Sequence, residues 1–287
     1  MNIMSTKEDD HTGLSFSDKQ QNVDAKFNAE PAYWREVYNR TDVLGEIYRG
    51  RQAVLLKIVD GLGFSKDANV LDVGCGAGFL SISLANRGFI VDALDHASAM
   101  VDTAKLNVKR THLESRVRVK AGDAHKLPFP TGSFDLVVEL GAVVWLHDLS
   151  KALAEFNRVL KPGGFVVLNV TNSWSIVTRY WVDLPDSLRT RVNQTLKKVG
   201  LLRQTRLKTA LKRHYYSAEE FSRYLHEAGF EKVEYSGFGF GPFTWFGREI
   251  FPSVGVSVHL KLQCYSEGRF RGLRKFASQL VFSAKKR

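Results

Sequence analysis

The densest chemistry in this 287-residue chain lies in one short stretch, Val70-Leu-Asp-Val-Gly-Cys-Gly-Ala-Gly-Phe79. Glycines at 74, 76 and 78, behind an apolar run, let backbone rather than side chain approach a ligand at a strand-to-helix turn, as nucleotide-like molecules require. The spacing is GxGxG, with Phe79 where a dinucleotide fingerprint places its third glycine, and Asp72 sits inside the strand. With no pyrophosphate to hold, a carboxylate this close to the loop is tolerable and can orient a ligand's amino group. Asp95, 21 residues after Gly74, ends the run Val91-Asp-Ala-Leu-Asp95. From there a carboxylate accepts hydrogen bonds from both hydroxyls of a ribose; its alternative task, with Ser98, is to cap the next helix. Asp92, nearer the strand interior, is the poorer partner. A third stretch, Ala121-Gly-Asp-Ala-His-Lys-Leu-Pro-Phe129, offers Asp123 to an adenine amino group and the Ala124 backbone to the ring.

Three segments, VLDVGCGAG, GDAHKLPFPTGSFDLVV and NRVLKPGG, occur in an order and spacing over residues 70 to 170 that resembles the class I S-adenosylmethionine-dependent methyltransferases. Within them the ubiquinone/menaquinone C-methyltransferase-like branch is the nearest in pattern. S-adenosylmethionine carries an ammonium and a sulfonium, which suits Asp72. The resemblance implies cofactor roles for Asp72, Gly74, Gly76, Asp95, Asp123 and Ala124 and places Glu139 and Leu140 at the cofactor edge. Cys75 and Gly78 of the first segment, with His96 next to Asp95, complete the expected cofactor set. From residue 173 onward only a general C-terminal pattern is shared, so the acceptor is not implied.

Methyl transfer from a sulfonium is an in-line displacement, governed by alignment and desolvation, with a general base optional. His147, in Val144-Trp-Leu-His-Asp148, is the expected base if one is used, because the loop after the fourth strand opens beside the methyl group in this fold. Packing at a helix start is its other reading. His214, beside Tyr215 and Tyr216, is the weaker candidate. Gly237-Phe-Gly-Phe-Gly-Pro-Phe-Thr-Trp-Phe246 crowds five aromatic rings into ten residues and either lines an apolar pocket or packs a long connection. Tyr33, Trp34, Tyr38 and Tyr48 either close over the cofactor or belong to the core. Cys75 and Cys264 have no ligand spacing, and no metal site is expected.

These residues need elements to hold them. Apolar runs at Val70–Val73, Ile90–Leu94, Val117–Val119, Leu136–Leu140 and Phe165–Val170 alternate with helix-length segments, which predicts a doubly wound α/β fold, with a mostly parallel seven-stranded sheet and a helical insertion after the fifth strand. Asp148 caps a helix whose apolar stripe ends at Pro162-Gly163-Gly164. Ser217-Ala-Glu-Glu220 reads as a capping box, and Lys232–Tyr235 and Leu280–Ala284 as the last strands. The organisation expected is a mobile tail over 1–30 and one domain over 31–287, with a cofactor core at 65–172, a basic insertion at 173–213 and a completing segment at 214–287.

The net charge of +11 is uneven. Residues 1–30 hold 3 basic and 6 acidic side chains, whereas residues 173–213 hold 10 and 2. That insertion reads either as an amphipathic basic segment that lies on an anionic membrane surface or closes over an apolar acceptor, or as a solvated helix pair packed on the core. No apolar run reaches the length of a membrane span and no signal peptide is evident, so a cytoplasmic chain, peripheral to membrane at most, is expected. The expected activity is O- or C-methylation of an apolar or amphipathic small molecule. A nucleic-acid methyltransferase is the alternative, opposed by Glu139-Leu-Gly-Ala142 where base amine methylation calls for [DN]PP[YF]. A nicotinamide dehydrogenase is opposed by GxGxG and Asp72, and a non-catalytic relative by the intact motifs. Oligomeric state is not predicted.

Overall fold

Strands that are apolar on nearly every residue must be covered on both faces, and in the computed structural model such runs form the centre of one seven-stranded sheet whose two edge strands, Val117–Ala121 and Phe230–Phe238, alternate with polar residues. The structure describes residues 16–29, 31–41, 43–175, 214–240, 244–245, 248–249, 252–268 and 270–287. The strands are β1 (Asn69–Val73), β2 (Ile90–Asp95), β3 (Val117–Ala121), β4 (Phe134–Leu140), β5 (Leu160–Thr171) and β6 (Phe230–Phe238). Two short strands, β7 (Thr244–Trp245) and β8 (Arg248–Glu249), pair apart from the sheet, and β9 (Gln279–Lys286) ends the chain. The order is β3-β2-β1-β4-β5-β9-β6. The first five are parallel, and β9 runs antiparallel between β5 and β6. Every strand expected from the sequence is present.

Helices cover both faces. On one, α3 (Val43–Gly61), α4 (Phe79–Ala85) and α5 (Ser98–Arg110) bury Leu55, Leu84 and Ala104 against Val70, Val91 and Val138. On the other, α6 (Leu149–Val159) and α7 (Ala218–Glu227) bury Leu153, Phe156 and Phe221 against Leu71, Val137 and Phe282. The ends of these helices follow the sequence signals. Asp148 accepts the Lys151 amide hydrogen at 2.9 Å, and Ser217 and Glu220 form the reciprocal capping box. Phe156 is wholly buried, and its truncation to Ala would cost about 3–5 kcal/mol. Because the strand order reverses between β1 and β4, loops leaving their C-terminal ends part to opposite sides and open a crevice.

Three expectations need comment. The tail expected over 1–30 is corrected from Phe16 onward, where residues Phe16–Ala29 form helix α1, which packs on α5. Its apolar anchors Val23 and Phe27 lie one turn apart in an otherwise polar segment, too few to register as a periodic stripe. Polar contacts do the rest: Asp24 bonds His96 at 2.8 Å, and Asn28 accepts the Ala99 amide hydrogen at 3.0 Å. The aromatic loop divides: Phe238 and Phe240 are buried, with Phe238 packed against Ile47, while Phe243 and Phe246 lie outside the described residues. So does nearly all of the basic insertion, from residue 176 to residue 213. Among the described residues, no helix is long and apolar enough to cross a membrane.

Candidate functional site

A cavity of about 240 Å³ occupies the crevice at β1 and β4. Its floor is the glycine loop. The Gly74 and Cys75 amides donate to the Leu94 carbonyl at 2.7 and 3.0 Å, which pins the turn to the end of β2. Gly76 has φ 53°, and a Cβ built on it would meet nothing within 4 Å. Gly76 lines the cavity, so a side chain there would take ligand space and would strain a left-handed backbone.

Two carboxylates stand beside this loop. Asp95 accepts the Gly76 amide hydrogen at 2.8 Å through one oxygen and that of Ala97 at 2.9 Å through the other. It therefore braces the loop and the entry to α5 while keeping lone pairs free for a ligand. Burial raises its pKa, against the pull of those two amides. Asp72, one strand over, is 1% exposed and accepts from the Ser81 hydroxyl. Burial pushes its pKa up to about 7, and the neighbouring charge of Asp95 adds to the rise. A buried acid poised this way favours a cationic partner.

On the far side of β2, Asp123 projects from the loop after β3. Burial alone would raise its pKa, but the backbone amide and ring of His125 hold it below the usual carboxylate range. His125 Nδ1 lies 2.7 Å from Asp123, and Nε2 takes the Asp148 amide hydrogen at 3.4 Å. An Nε2 that accepts leaves the proton on Nδ1, which donates to the carboxylate. Both ring nitrogens are thus engaged, Nδ1 with Asp123 and Nε2 with the Asp148 amide.

Of the residues expected from the sequence, Asp72, Gly74, Cys75, Gly76, Asp95, His96, Asp123, Ala124 and Leu140 line the cavity. Four do not. Gly78 has φ 82° at the start of α4 and faces α5, where a Cβ would meet the Ala104 Cβ at 3.2 Å. Glu139 is fully buried beneath the loop after β4, accepting from the Ala142, Val143 and Asn169 amides. Burial pushes it up to about 7 against those amides and the Arg51 charge. It holds the loop that carries Gly141 and Ala142 to the cavity wall. His147 packs its ring 3.8 Å from that of His125, and burial lowers its pKa. His214 donates its amide hydrogen to Val144, with its ring stacked toward Tyr216 at 6.4 Å. Neither histidine is on the cavity wall, so the structure does not place the expected base beside a ligand.

The opposite wall was missed. Asp24 and Phe27 of α1, Arg51 of α3, Asn169 of β5 and Gln279 of β9 all line the cavity. Trp34, Tyr38 and Tyr48, which the sequence left between cofactor and core, also line it. Phe27 packs on Trp34 and, edge-on, on Trp145. The Arg51 guanidinium sits 4.2 Å above the Tyr48 ring. Desolvation pulls its pKa down, but Tyr38, Tyr48 and Glu139 outweigh this and raise it. Arg51 Nε and Trp34 Nε1 are buried donors with no partner among the described residues. The available signal was the i, i+3 spacing of Tyr48 and Arg51, which puts both on one helix face.

Comparisons with known proteins agree with this geometry. The model of a methyltransferase domain matches residues 71–168. An uncharacterized protein of Haemophilus influenzae is 31% identical over 150 residues, covering 51% of this chain and 58% of that protein, so less than two thirds of its length is spanned. A demethylmenaquinone methyltransferase of Leptospira interrogans is 31% identical over 185 residues, covering 62% of this chain and 73% of the relative. Among solved structures, an S-adenosylmethionine-dependent methyltransferase of Thermotoga maritima superposes with a TM-score of 0.56 at 17% identity, over 94% of this chain and 100% of that one. That likeness is one of fold.

Proposed function

The chain belongs to the class I S-adenosylmethionine-dependent methyltransferases, and from that premise we propose that its acceptor is an apolar or amphipathic small molecule of lipid, quinone or natural-product type, methylated on oxygen or carbon. S-adenosylmethionine is the cofactor, and when bound it supplies an electrophilic methyl group on a sulfonium. The residues present fit it. The open space at Gly76 would admit the nucleoside, Asp95 would accept from the ribose hydroxyls, and Asp123 with the Ala124 backbone would hold the adenine. Asp72 and Arg51 would hold the amino-acid end, the acid taking the ammonium and the unpartnered Arg51 Nε a carboxylate.

The observation that carries the acceptor class is the apolar cluster in the remaining wall, where Phe27, Trp34, Val144, Trp145 and Leu146 line the cavity beside Gln20, Asp24, Asn169, Thr171 and Gln279. Such a cluster desolvates and aligns the apolar part of an acceptor, and the polar groups beside it suit an amphipathic one. The name of the Leptospira relative, a quinone methyltransferase, points the same way. Alignment in this cavity, rather than a histidine base, is the role assigned to the chain: His125 is committed to Asp123, and His96 to Asp24. No observation among the described residues favours a nucleic acid acceptor. The test is incubation of cell extract with the protein and isotopically labelled cofactor. Label in an organic-soluble small molecule is expected; label only in RNA or DNA would overturn the reading.

A further inference from the structure

The helix α8 (Pro252–Glu267) is turned inside out. At the 3.6-residue period its inward face carries His259, Gln263 and Ser266, all buried, while Val258, Leu260, Cys264 and Tyr265 are exposed on the outward face with Lys261. The buried polar groups have structural work. His259 Nδ1 accepts the Phe240 amide hydrogen at 3.0 Å, and Gln263 accepts from the Gly239 amide and donates to the Gly237 carbonyl, each at 3.3 Å. They satisfy the backbone where β6 ends. Nothing inside the described structure explains the apolar residues outside.

Those residues are not scattered. Eight large apolar side chains are exposed among the described residues, and five of them, Val258, Leu260, Tyr265, Phe270 and Phe276, fall on α8 and the turn that follows it. Tyr265 and Phe270 pack edge to face at 6.2 Å, joining helix and turn into one surface. A sixth, Trp174, lines a shallow depression together with Lys275. Lys261 and Lys275 are exposed on the same helix and turn, and Arg274 donates to the Ser266 carbonyl at 3.0 Å. The turn leads directly into Gln279, which lines the cavity, so this surface lies at the cavity end of the sheet.

We propose that the outward face of α8 and the adjoining turn dock on an anionic lipid surface. Exposed aromatic rings and aliphatic side chains, with Lys261 on the helix and Lys275 on the turn beside them, suit a surface that lies in the membrane interface, where rings enter the acyl boundary and basic groups reach the headgroups. A second copy of this chain is the poorer occupant, because a symmetric contact sets the same basic strip against itself.

The test is co-sedimentation of the full chain with vesicles of phosphatidylcholine, with and without phosphatidylglycerol. Binding is expected only with the anionic lipid, and it should weaken as salt is raised. Leu260→Ser with Tyr265→Ser should lower partitioning at least about tenfold, since each loses the burial of a large apolar side chain. Lys261→Ala and Lys275→Ala should each lower it about fivefold, the loss of one basic contact with the surface. Unchanged affinity for S-adenosylhomocysteine in each variant certifies its fold, and the lysine variants keep the test open if the double variant does not fold. Three results would overturn the proposal: no sedimentation of the parent with anionic vesicles, variants that sediment as the parent does, or a parent dimer in solution that the Leu260/Tyr265 variant converts to monomer.

Discussion

The two walls of the cavity are built differently. One, from Asp72 to Ala124, is made of turns at the ends of three neighbouring strands, and its ligand-facing groups are glycine backbone and short acids whose positions follow from the strand register. The other gathers Phe27, Trp34, Trp145, Asn169 and Gln279 from segments spread over some 250 residues, and its groups are long side chains on helices, turns and strand ends. The first can be displaced only by distorting the sheet. The second can vary one side chain at a time while the fold stays intact, which is how one cofactor fold serves many acceptors. If this contrast is right, substitutions on the first wall cost cofactor affinity steeply and those on the second cost less.

The steepest loss belongs to Gly76→Val. A branched side chain at φ 53° is strained, and its methyls enter the cavity. Calorimetric titration should show S-adenosylhomocysteine affinity down by more than about a hundredfold; a loss under tenfold in a folded variant would break the contrast. Asp95→Ala comes next. It removes a charged hydrogen-bond acceptor worth about 1.5–3 kcal/mol, a ten- to hundredfold loss in affinity, and loosens the Gly76 and Ala97 amides as well.

Asp72 gives a third effect, read as stability against pH. Its folded pKa of about 7 stands well above the ordinary carboxylate value, so between those values the folded state holds the proton that the unfolded state has lost. Its contribution to stability is therefore fully present below about pH 4 and is lost as pH rises through about 7. Glu139, pushed to about 7 by burial, has the same sign. His147 and His259, both lowered by burial, oppose it on the acid side. The difference between variants isolates Asp72: thermal melts of the ligand-free parent and of Asp72→Asn should diverge from about pH 4 to about pH 7, the Asn variant losing less stability as pH rises. Parallel curves would show Asp72 to be ionised throughout.

On the second wall, Phe27→Ala removes ring contacts with Trp34 and Trp145, each worth about 1 kcal/mol, and should weaken ligand binding only severalfold. An effect as large as that of Asp95→Ala would erase the distinction between the walls.

The sequence was legible where neighbours in space are also neighbours in chain order. GxGxG, Asp95 and Asp123 are fixed by strand ends, and strand ends are marked by apolar runs and glycines. Glu139 shows the limit, since the same strand-end reasoning put it at the cavity although it turns under the next loop to satisfy three amides. Gly78 is glycine for the approach of α4 to α5 rather than for a ligand. Arg51 was only half legible, because a helical arginine is ordinarily solvated: its i, i+3 partner Tyr48 is local, whereas the approach of Gly141 is tertiary. Residues Phe16–Ala29 gave no periodic signal because their docking depends on two apolar side chains and two polar contacts.

The smallest effect expected is at His147, and it decides whether base catalysis belongs to this site at all. The sequence placed a histidine beside the methyl group because the loop after β4 opens there. The loop does reach the cavity, but through Val144, Trp145 and Leu146, and His147 follows them to stack on His125. A general base must come within hydrogen-bond reach of the proton it removes, and such a base contributes about 10²–10⁴ in rate. His147→Ala should therefore leave turnover of the labelled acceptor within about threefold of the parent, the residue of a lost ring contact beside the Asp123 partner. The acid limb of the pH–rate profile should stay in place, since no proton on His147 enters the reaction. A fall of a hundredfold or more, with a displaced acid limb and unchanged S-adenosylhomocysteine affinity, would return the base to this histidine and require the loop to rearrange around the bound acceptor. A fall in cofactor affinity alone would instead mark His147 as support for His125, and through it for Asp123, which belongs to the first wall.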